Sequence, residues 1–137
     1  MDAFLCCLGT RVKVGEETFV KVDYTYPLEF AKLAIQLKAK HYGLLSSTGG
    51  NPDSFLLYLK TKGRVERDVA ALYQQGLTIY KPGLLENRRN DTRIGEKIGS
   101  WIPFIEKIQA RDMGAAMVER AIQQIKNPTT GVQVLTN

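Results

Sequence analysis

Residues 42–62 read YGLLSSTGGNPDSFLLYLKTK: an apolar run, a polar turn and the beginning of a helix. The run ends in two hydroxyl residues, Ser46 and Ser47, and the turn GGNP at residues 49–52 follows. A strand that ends in a polar turn and leads directly into a helix is the repeating unit of α/β folds. This stretch therefore predicts a parallel sheet with flanking helices.

The same alternation extends along the rest of the chain. Short apolar runs closed by glycine, proline or threonine predict strands at residues 3–8 (AFLCCL), 42–46, 77–80 and 132–135. Apolar positions that recur every three or four residues predict helices at residues 28–38, 54–75, 94–101 and 113–125. At 137 residues the chain has the size of a single domain, which we assign to residues 1–137.

Capping and turn residues set the predicted boundaries. Ser54 is expected to cap the start of the second helix, Gly76 its end, and Asp112 the start of the last helix. Residues 11–18 are polar and predict a loop, and residues 23–27 are expected to lead into the first helix. The second helix is expected to face the core with Leu56, Leu59, Val65, Val69 and Leu72.

Tyr58 and Lys62 are the main candidates for chemistry. Their i,i+4 spacing places both side chains on one helix face, where the ammonium of Lys62 favours the phenolate form of Tyr58. Ser46 and Ser47 precede Tyr58 by 12 and 11 residues and offer a hydroxyl to hold a substrate oxygen. The alternative is a surface tyrosine beside a solvated lysine, with two serines in a turn. The carboxyl ends of parallel strands meet at one edge, so Gly9, Ser46 and Pro82 should lie close together.

Composition excludes several functions. The net charge of +5 is spread along the chain, and Asp91 dilutes the densest basic cluster, Arg88, Arg89 and Arg93, so we expect no nucleic-acid partner. With His41 as the only histidine, we expect no metal site.

The adjacent pair Cys6 and Cys7 predicts two reduced core residues, because a disulfide between neighbours is strained. No apolar run reaches the roughly 20 residues of a membrane span. The N-terminus, MDAF, lacks the basic start of a signal peptide, so we expect a cytosolic protein with no membrane partner.

Several segments together resemble a known family. They are CCLGT (6–10), FVKVDY (19–24), LLSS (44–47), YLKTKG (58–63) and KPGLL (81–85), in this order. They resemble the Tat-interacting-protein branch of the atypical short-chain dehydrogenases/reductases, from residue 4 to residue 93. The resemblance implies a Rossmann-like, NADP(H)-binding fold, an unknown small-molecule substrate, and protein partners in nuclear import, transcription or apoptosis. It also implies a location in the nucleus as well as the cytosol.

The resemblance also assigns roles to residues. Tyr58 would be the proton donor or acceptor, Lys62 its partner and the holder of the nicotinamide ribose, and Ser46 or Ser47 the substrate-orienting hydroxyl. Further cofactor contacts would come from Cys7, Leu8, Leu85 and Arg93. Lys81 stands where the family is expected to have arginine before Pro-Gly.

One expected part of the fold is missing from these 137 residues. The chain contains no G-x-x-G-x-x-G turn, and the AFLCCL strand would be the fourth strand of the family's sheet. We therefore expect a truncated Rossmann-like fold without the first three strands and the phosphate loop, and weak or no NADPH binding by this chain alone. The AFLCCL strand would be an exposed edge that favours self-association. The alternative function is a non-enzymatic interaction module.

Overall fold

Four strands form the central sheet of this computed structural model, which describes residues 2–82, 84–86 and 107–136. They are hydrogen-bonded in the order β1 (Ala3–Cys6), β2 (His41–Leu45), β3 (Gln75–Lys81) and β6 (Gly131–Thr136). All three pairings are parallel. A separate parallel pair, which the sequence did not predict, joins β4 (Leu84–Glu86) to β5 (Lys107–Gln109). The predicted α/β fold with a parallel sheet is confirmed.

The first helical region begins earlier than predicted. It runs through α1 (Glu16–Val20), a π-helical turn (Lys21–Thr25) and α2 (Tyr26–Gln36). The predicted loop at residues 11–18 is therefore wrong from Glu16 onward, and a 3-10 turn (Val12–Val14) lies in its first part; residues 23–27, which were expected to lead into the helix, are already helical. The buried residues of this region recur every three or four positions: Phe19, Asp23, Pro27, Ala31 and Ala34. An acidic residue and a proline interrupt the apolar pattern, which is why it escaped recognition.

The second helix, α3 (Leu57–Leu72), is shorter than predicted at both ends. Ser54 does not cap it, although the Ser54 hydroxyl accepts a hydrogen bond from the Leu56 N–H at 3.2 Å. Gly76 lies inside β3 with φ of +73°, and a Cβ there would come within 2.2 Å of the Lys40 carbonyl oxygen. Gly76 therefore permits a close backbone approach and is not a helix cap.

The predicted stripe of α3 is only partly buried. Val65 and Val69 lie in the core, whereas Leu56 and Leu72 are exposed. The last helix, α4 (Ala110–Lys126), begins before Asp112, which lies in its first turn. It buries Met113, Met117, Ala121 and Gln124, while Val118 and Ile122 are exposed. The predicted strand at 132–135 is confirmed as part of β6. The predicted helix at 94–101 lies outside the described residues.

Helices cover both faces of the sheet. Tyr42, Leu44, Leu77 and Ile79 point to the face covered by α2 and α3, with Cys6, Ala31, Ala34, Val65, Val69 and Tyr73 in the same cluster. Tyr80 and Leu45 point to the other face and meet Met113 and Met117 of α4. Cys6 is buried as predicted, but Cys7 is exposed and its sulfur contacts Met117 Sδ at 3.8 Å. Cys7 follows the last residue of β1, and successive side chains point to opposite faces, so Cys7 lies on the side of α4 and not in the cluster that contains Cys6.

The carboxyl ends of β2 and β3 meet, as the sequence predicts for parallel strands. The Ser46 N–H donates to the Tyr80 carbonyl at 2.8 Å, and the Thr48 N–H donates to the Pro82 carbonyl at 3.1 Å. The Thr48 hydroxyl also donates to the Lys81 carbonyl at 2.9 Å. The hydroxyl-rich segment after β2 is therefore fixed against the end of β3.

Candidate functional site

A buried ion pair lies beside the carboxyl end of β1. Lys62 Nζ of α3 is 2.8 Å from Asp23 Oδ1 of the π-helical turn, and the two side chains are only 7% and 1% exposed. Two opposite charges in so little water stabilise each other strongly, but each depends on the other being present. Lys62, a predicted site residue, therefore directs its side chain into the protein and is not a solvated surface lysine.

The second carboxylate oxygen of Asp23 is also occupied. Asp23 Oδ2 accepts a hydrogen bond from the Thr10 N–H at 2.8 Å. Thr10 and Gly9 follow the strand-end residues of the AFLCCL run, so Asp23 ties this end of the sheet to α3. A Cβ added at Gly9 would lie 3.4 Å from Asp23 Oδ1 and 3.7 Å from Lys62 Nζ. Gly9 thus leaves the backbone next to the ammonium uncovered by a side chain.

Tyr58 lies one helical turn before Lys62. The Lys62 ammonium is 5.9 Å from the centre of the Tyr58 ring, within the range of a cation–π contact. The Phe19 ring of α1 also packs against the Tyr58 ring, with ring centres 5.9 Å apart and ring planes inclined by 31°. The structure therefore brings Tyr58 and Lys62 together, as the i,i+4 spacing predicts.

Tyr24 is a neighbouring tyrosine with a different environment. Its hydroxyl donates to Asp68 Oδ2 at 2.5 Å, and this hydrogen bond, with burial, raises the pKa of Tyr24. Tyr24 is thereby kept as a neutral phenol. The Tyr58 hydroxyl makes no hydrogen bond to a side chain or backbone group within residues 2–82, 84–86 and 107–136. Of these two tyrosines, Tyr58 is the one whose hydroxyl has no hydrogen bond in the described part of the chain.

A second network surrounds Ser46. The Ser46 hydroxyl donates to Glu66 Oε1, and Glu66 Oε2 is 3.1 Å from Lys81 Nζ. Both ends of this pair are mostly buried, at 14% exposed for Glu66 and 19% for Lys81. A serine hydroxyl has one proton to donate, so Ser46 has none left for a substrate while this bond persists. The Ser47 hydroxyl is buried and has no hydrogen-bond partner in the described part of the chain.

Gly63 fixes the turn before α3 against the helix. A Cβ at Gly63 would lie 2.3 Å from both Asn51 C and Pro52 N, so only glycine allows this contact. The Asn51 N–H donates to the Leu59 carbonyl at 2.9 Å and closes the same contact. Gly63 follows Lys62 directly, and the close approach therefore sets where the first turns of α3, including Tyr58, stand relative to the strand ends.

The structure describes only some of the remaining residues that were predicted to contact the cofactor. Cys7 and Leu8 are exposed just beyond β1, near Gly9. Leu85 lies in β4, and Arg93 lies outside the described residues. Lys81 is the last residue of β3 and pairs with Glu66, so its charge is already compensated within the protein.

Sequence reasoning missed Asp23 and Glu66. A signal for Asp23 is present, because it is the one carboxylate in the stripe Phe19, Asp23, Pro27, Ala31 and Ala34. A charged residue on a buried helix face requires a partner. Glu66 carries no such signal, since in the sequence it lies among other charged residues, Arg64 and Arg67. No cluster of metal-binding residues and no helix that could cross a membrane occurs in the described ranges.

The chain has relatives among characterised proteins, although no protein-family model matches it. It is 45% identical over 96 residues to Protein HTATIP2 of Rattus norvegicus, which covers 69% of this chain and 40% of that protein. It is 34% identical over 133 residues to the mitochondrial Protein FMP52 of Candida albicans, which covers 88% of this chain and 58% of that protein. The chain thus spans about half the length of these relatives. The predicted resemblance is confirmed.

Solved structures confirm the Rossmann-like fold. MoeE5 in complex with UDP-glucose and NAD superimposes with a TM-score of 0.74 at 13% identity, over 100% of this chain and 56% of that protein. A putative NAD-dependent epimerase/dehydratase from Bacillus halodurans gives a TM-score of 0.67 at 18% identity, over 99% and 63%. At such low identity the likeness concerns the fold and not the reaction.

The names of the sequence relatives contradict the predicted cytosolic and nuclear location. The FMP52 relatives, from Candida albicans to Emericella nidulans, are named as mitochondrial proteins. The composition of the first few residues was too little evidence for a compartment.

Proposed function

We propose that this chain, a relative of HTATIP2 and FMP52 with a Rossmann-like fold, forms the nicotinamide side of an NADP(H) site and carries the proton-transfer residues of a short-chain dehydrogenase/reductase. The observation that supports this most is the Lys62 ammonium, held by Asp23 beside Tyr58 where β1 ends. Parallel sheets bind their ligands at this end of the strands. The names of the FMP52 relatives favour a mitochondrial location for it.

The residues present fit a nicotinamide ribose. Gly9 has no side chain between the backbone and Lys62 Nζ, so the hydroxyls of a ribose can approach the ammonium. Cys7 and Leu8 expose their side chains at the same strand end. A bound nicotinamide would supply hydride transfer, which no amino-acid side chain provides. The protein's part is to hold the ring, exclude water and move the proton.

Tyr58 is the proposed group that moves the proton. Its hydroxyl is not engaged in the described part of the chain, and Lys62 stabilises negative charge on it during proton donation. Ser46 and Ser47 are the candidates for the hydroxyl that holds the substrate oxygen. Ser47 fits this role better because its hydroxyl has no hydrogen-bond partner among the described residues, whereas the proton of Ser46 is directed at Glu66. The substrate is predicted to be a small molecule.

Affinity for the whole cofactor should be low. The glycine-rich turn that holds a pyrophosphate is not among these 137 residues, and hydrogen bonds to phosphate are among the strong ones in such sites. We therefore propose that these 137 residues by themselves bind NADPH weakly, through its nicotinamide end.

Saturation-transfer NMR with NADPH tests this proposal directly. The nicotinamide protons should receive saturation from the protein and the adenine protons should receive little. Lys62→Met should abolish the nicotinamide signal, whereas Lys32→Met, which removes an exposed lysine paired with Glu29, should leave it unchanged. Saturation of the adenine alone, or a signal indifferent to Lys62→Met in a folded protein, contradicts the proposed site.

A second candidate function is a non-enzymatic interaction module. Within residues 2–82, 84–86 and 107–136, β1 pairs with β2 only, and Leu5 of β1 and Leu8 just beyond it are exposed. An uncovered strand edge favours pairing with another strand, and the simplest partner is a second copy of this chain. Sedimentation velocity over a concentration series should show self-association that Leu5→Lys reduces. A concentration-independent monomer would exclude this mode. Partners in nuclear import or transcription stay a prediction from the resemblance.

A further inference from the structure

A cluster of polar side chains lies between the central sheet and α4. Thr78 and Tyr80 alternate along β3 with core residues that face α2 and α3, so their own side chains point to the α4 face. His41 does the same on β2. Arg120 lies on α4, three positions after Met117, which packs against Tyr80. Two strands and one helix therefore contribute to this polar cluster.

Two observations place the members of the polar cluster close together. Gly43 is the register partner of Thr78, and a Cβ added at Gly43 would lie 3.3 Å from Tyr80 Cε2 and 3.5 Å from His41 Nε2. Burial lowers the pKa of His41 and raises the pKa of Tyr80 to about 12, and the Arg120 guanidinium lowers both. The guanidinium therefore lies near both side chains.

The polar atoms of the cluster are buried without partners. His41, Thr78 and Tyr80 are 0%, 1% and 2% exposed. Both ring nitrogens of His41, the two hydroxyls and Arg120 Nε are buried, and none has a hydrogen-bond partner among the described residues. A buried polar atom without a partner costs free energy, so nearly all such atoms in proteins are paired with protein, water or a ligand. Five of them in one layer indicate a binding site.

The charge of Arg120 decides which ligand fits. None of the four strands of the sheet contains an aspartate or a glutamate. Arg120 Nη1 donates to Gln123 Oε1 at 3.4 Å, and no carboxylate pairs with Arg120 in the part of the chain that the structure describes. Its neighbour Glu119 lies on the outer face of α4 with Val118 and Ile122. A guanidinium and two hydroxyls can all donate hydrogen bonds, so an anion supplies both the acceptor and the missing charge.

We propose that this cluster binds one small inorganic anion of about the size of chloride. Arg120 Nε and the hydroxyls of Thr78 and Tyr80 would donate to it, with a His41 N–H as a further donor. Close packing excludes a larger organic anion, because a Cβ at Gly43 would already lie 2.8 Å from a Leu5 methyl group. Arg120 is partly exposed and offers a path from solvent.

The anion site is independent of the proposed nicotinamide site. His41 is the first residue of β2, whereas Ser46 follows the last, so the two sites lie toward opposite ends of this strand. A bound anion would join α4 to the sheet and stabilise the fold, since a ligand that binds only the folded chain favours that state.

A chloride titration followed at His41 tests the anion site on the full chain. His41 is the only histidine, so its ring ¹H–¹⁵N signals are unambiguous. Sodium chloride should shift them saturably, with half-saturation below about 0.15 M, the physiological ionic strength. Sodium gluconate at equal ionic strength, whose anion is too large, should not.

Variants locate the bound anion. Arg120→Met should weaken chloride binding at least about tenfold, or about 1.4 kcal/mol. Thr78→Val should weaken it less, because one neutral donor is lost. Arg111→Met is the matched control, since it removes the same charge from an exposed position of α4, and it should leave the chloride affinity unchanged.

Three outcomes would overturn the anion site. Equal shifts in chloride and gluconate would show an effect of ionic strength, and the cluster would then hold ordered water. Half-saturation only at molar chloride would mean an adventitious ion only. Unchanged affinity in a folded Arg120→Met would place the chloride elsewhere.

Diffraction from the unaltered chain covers the case in which Arg120→Met does not fold. Crystals grown in sodium bromide should show an anomalous peak between Arg120 and the Tyr80 hydroxyl. A water molecule at this position, with no anomalous signal, would contradict the proposal.

Discussion

Helix α3 carries two lysine–carboxylate pairs one turn apart, and their surroundings differ. In the first pair the helix supplies the cation, Lys62, and in the second it supplies the anion, Glu66. The distances are similar, at 2.8 and 3.1 Å, but the first pair is almost without water and the second is 14–19% exposed. The second pair also binds the Ser46 hydroxyl. Similar chemistry thus occurs in two settings: a nearly water-free pair beside the end of β1, and a partly exposed pair that joins the ends of β2 and β3.

The largest expected difference between the two pairs comes from removing each lysine. Lys62→Met leaves the Asp23 carboxylate buried without its cation and should lower the free energy of unfolding by about 3–5 kcal/mol. Lys81→Met leaves Glu66 with the Ser46 hydrogen bond and more water, and should cost about 1–2 kcal/mol. Urea denaturation followed by circular dichroism measures both.

The exposed Lys32 is the control for this comparison. Lys32→Met removes a solvated pair with Glu29 and should change the stability by less than about 0.5 kcal/mol. Equal losses for Lys62→Met and Lys81→Met would show that burial does not distinguish the two pairs.

Gly63 lies between the two pairs, so its substitution should disturb both together. The Cβ of Gly63→Ala would overlap the backbone at Asn51 and Pro52, which cannot move as a side chain can. We expect a loss of about 2–3 kcal/mol, the upper part of the range for overpacking. Gly114→Ala in α4 is the matched control, because nothing lies within 4 Å of the new methyl. It should gain about 0.5–1 kcal/mol from helix propensity.

Thermal unfolding of Gly63→Ala and Gly114→Ala measures these stability changes. A stabilising or neutral Gly63→Ala would mean that the turn before α3 can move away, and that this contact does not hold Tyr58 in place.

Mild acid should destabilise the sheet core through His41. Burial lowers the pKa of His41 below its ordinary value of 6.5, with Arg120 acting in the same direction and the Gly76 backbone opposing it. The unfolded chain therefore binds a proton more readily than the folded chain, and stability should fall as the pH drops below about 6.5. Denaturation curves at pH 7, 6 and 5 measure this loss, and His41→Gln should flatten it. A loss of the same size in His41→Gln would contradict the assignment of this pH dependence to His41.

Much of the fold could be predicted because its signals are local. The four strands of the sheet are short apolar runs that end in turns, and the i,i+4 relation of Tyr58 to Lys62 requires only a helix. The helix at residues 16–25 escaped prediction because its buried stripe includes Asp23, whose partner is 39 positions away. Gly76 was mistaken for a cap because a sequence does not show which backbone a glycine approaches.

The site could be predicted only in part, for the same reason. The sequence indicated two serines equally, and only the contact of Ser46 with Glu66 separates them. Glu66 is 20 residues from Ser46, and Lys81 is 15 residues further along, so no spacing rule connects the three. Partners that meet through tertiary packing leave no periodic pattern, whereas residues on one helix face do.

The most direct test compares the dissociation constants of NADPH and of reduced nicotinamide mononucleotide, both followed by nicotinamide fluorescence on the purified chain. The mononucleotide lacks the adenosine and the 2′-phosphate. If these 137 residues supply only the nicotinamide end, the two ligands should bind weakly with affinities within about threefold, roughly 0.7 kcal/mol. Lys62→Met should weaken both. Binding of NADPH at low micromolar concentration, far tighter than the mononucleotide, would contradict the account, and so would a folded chain that binds neither.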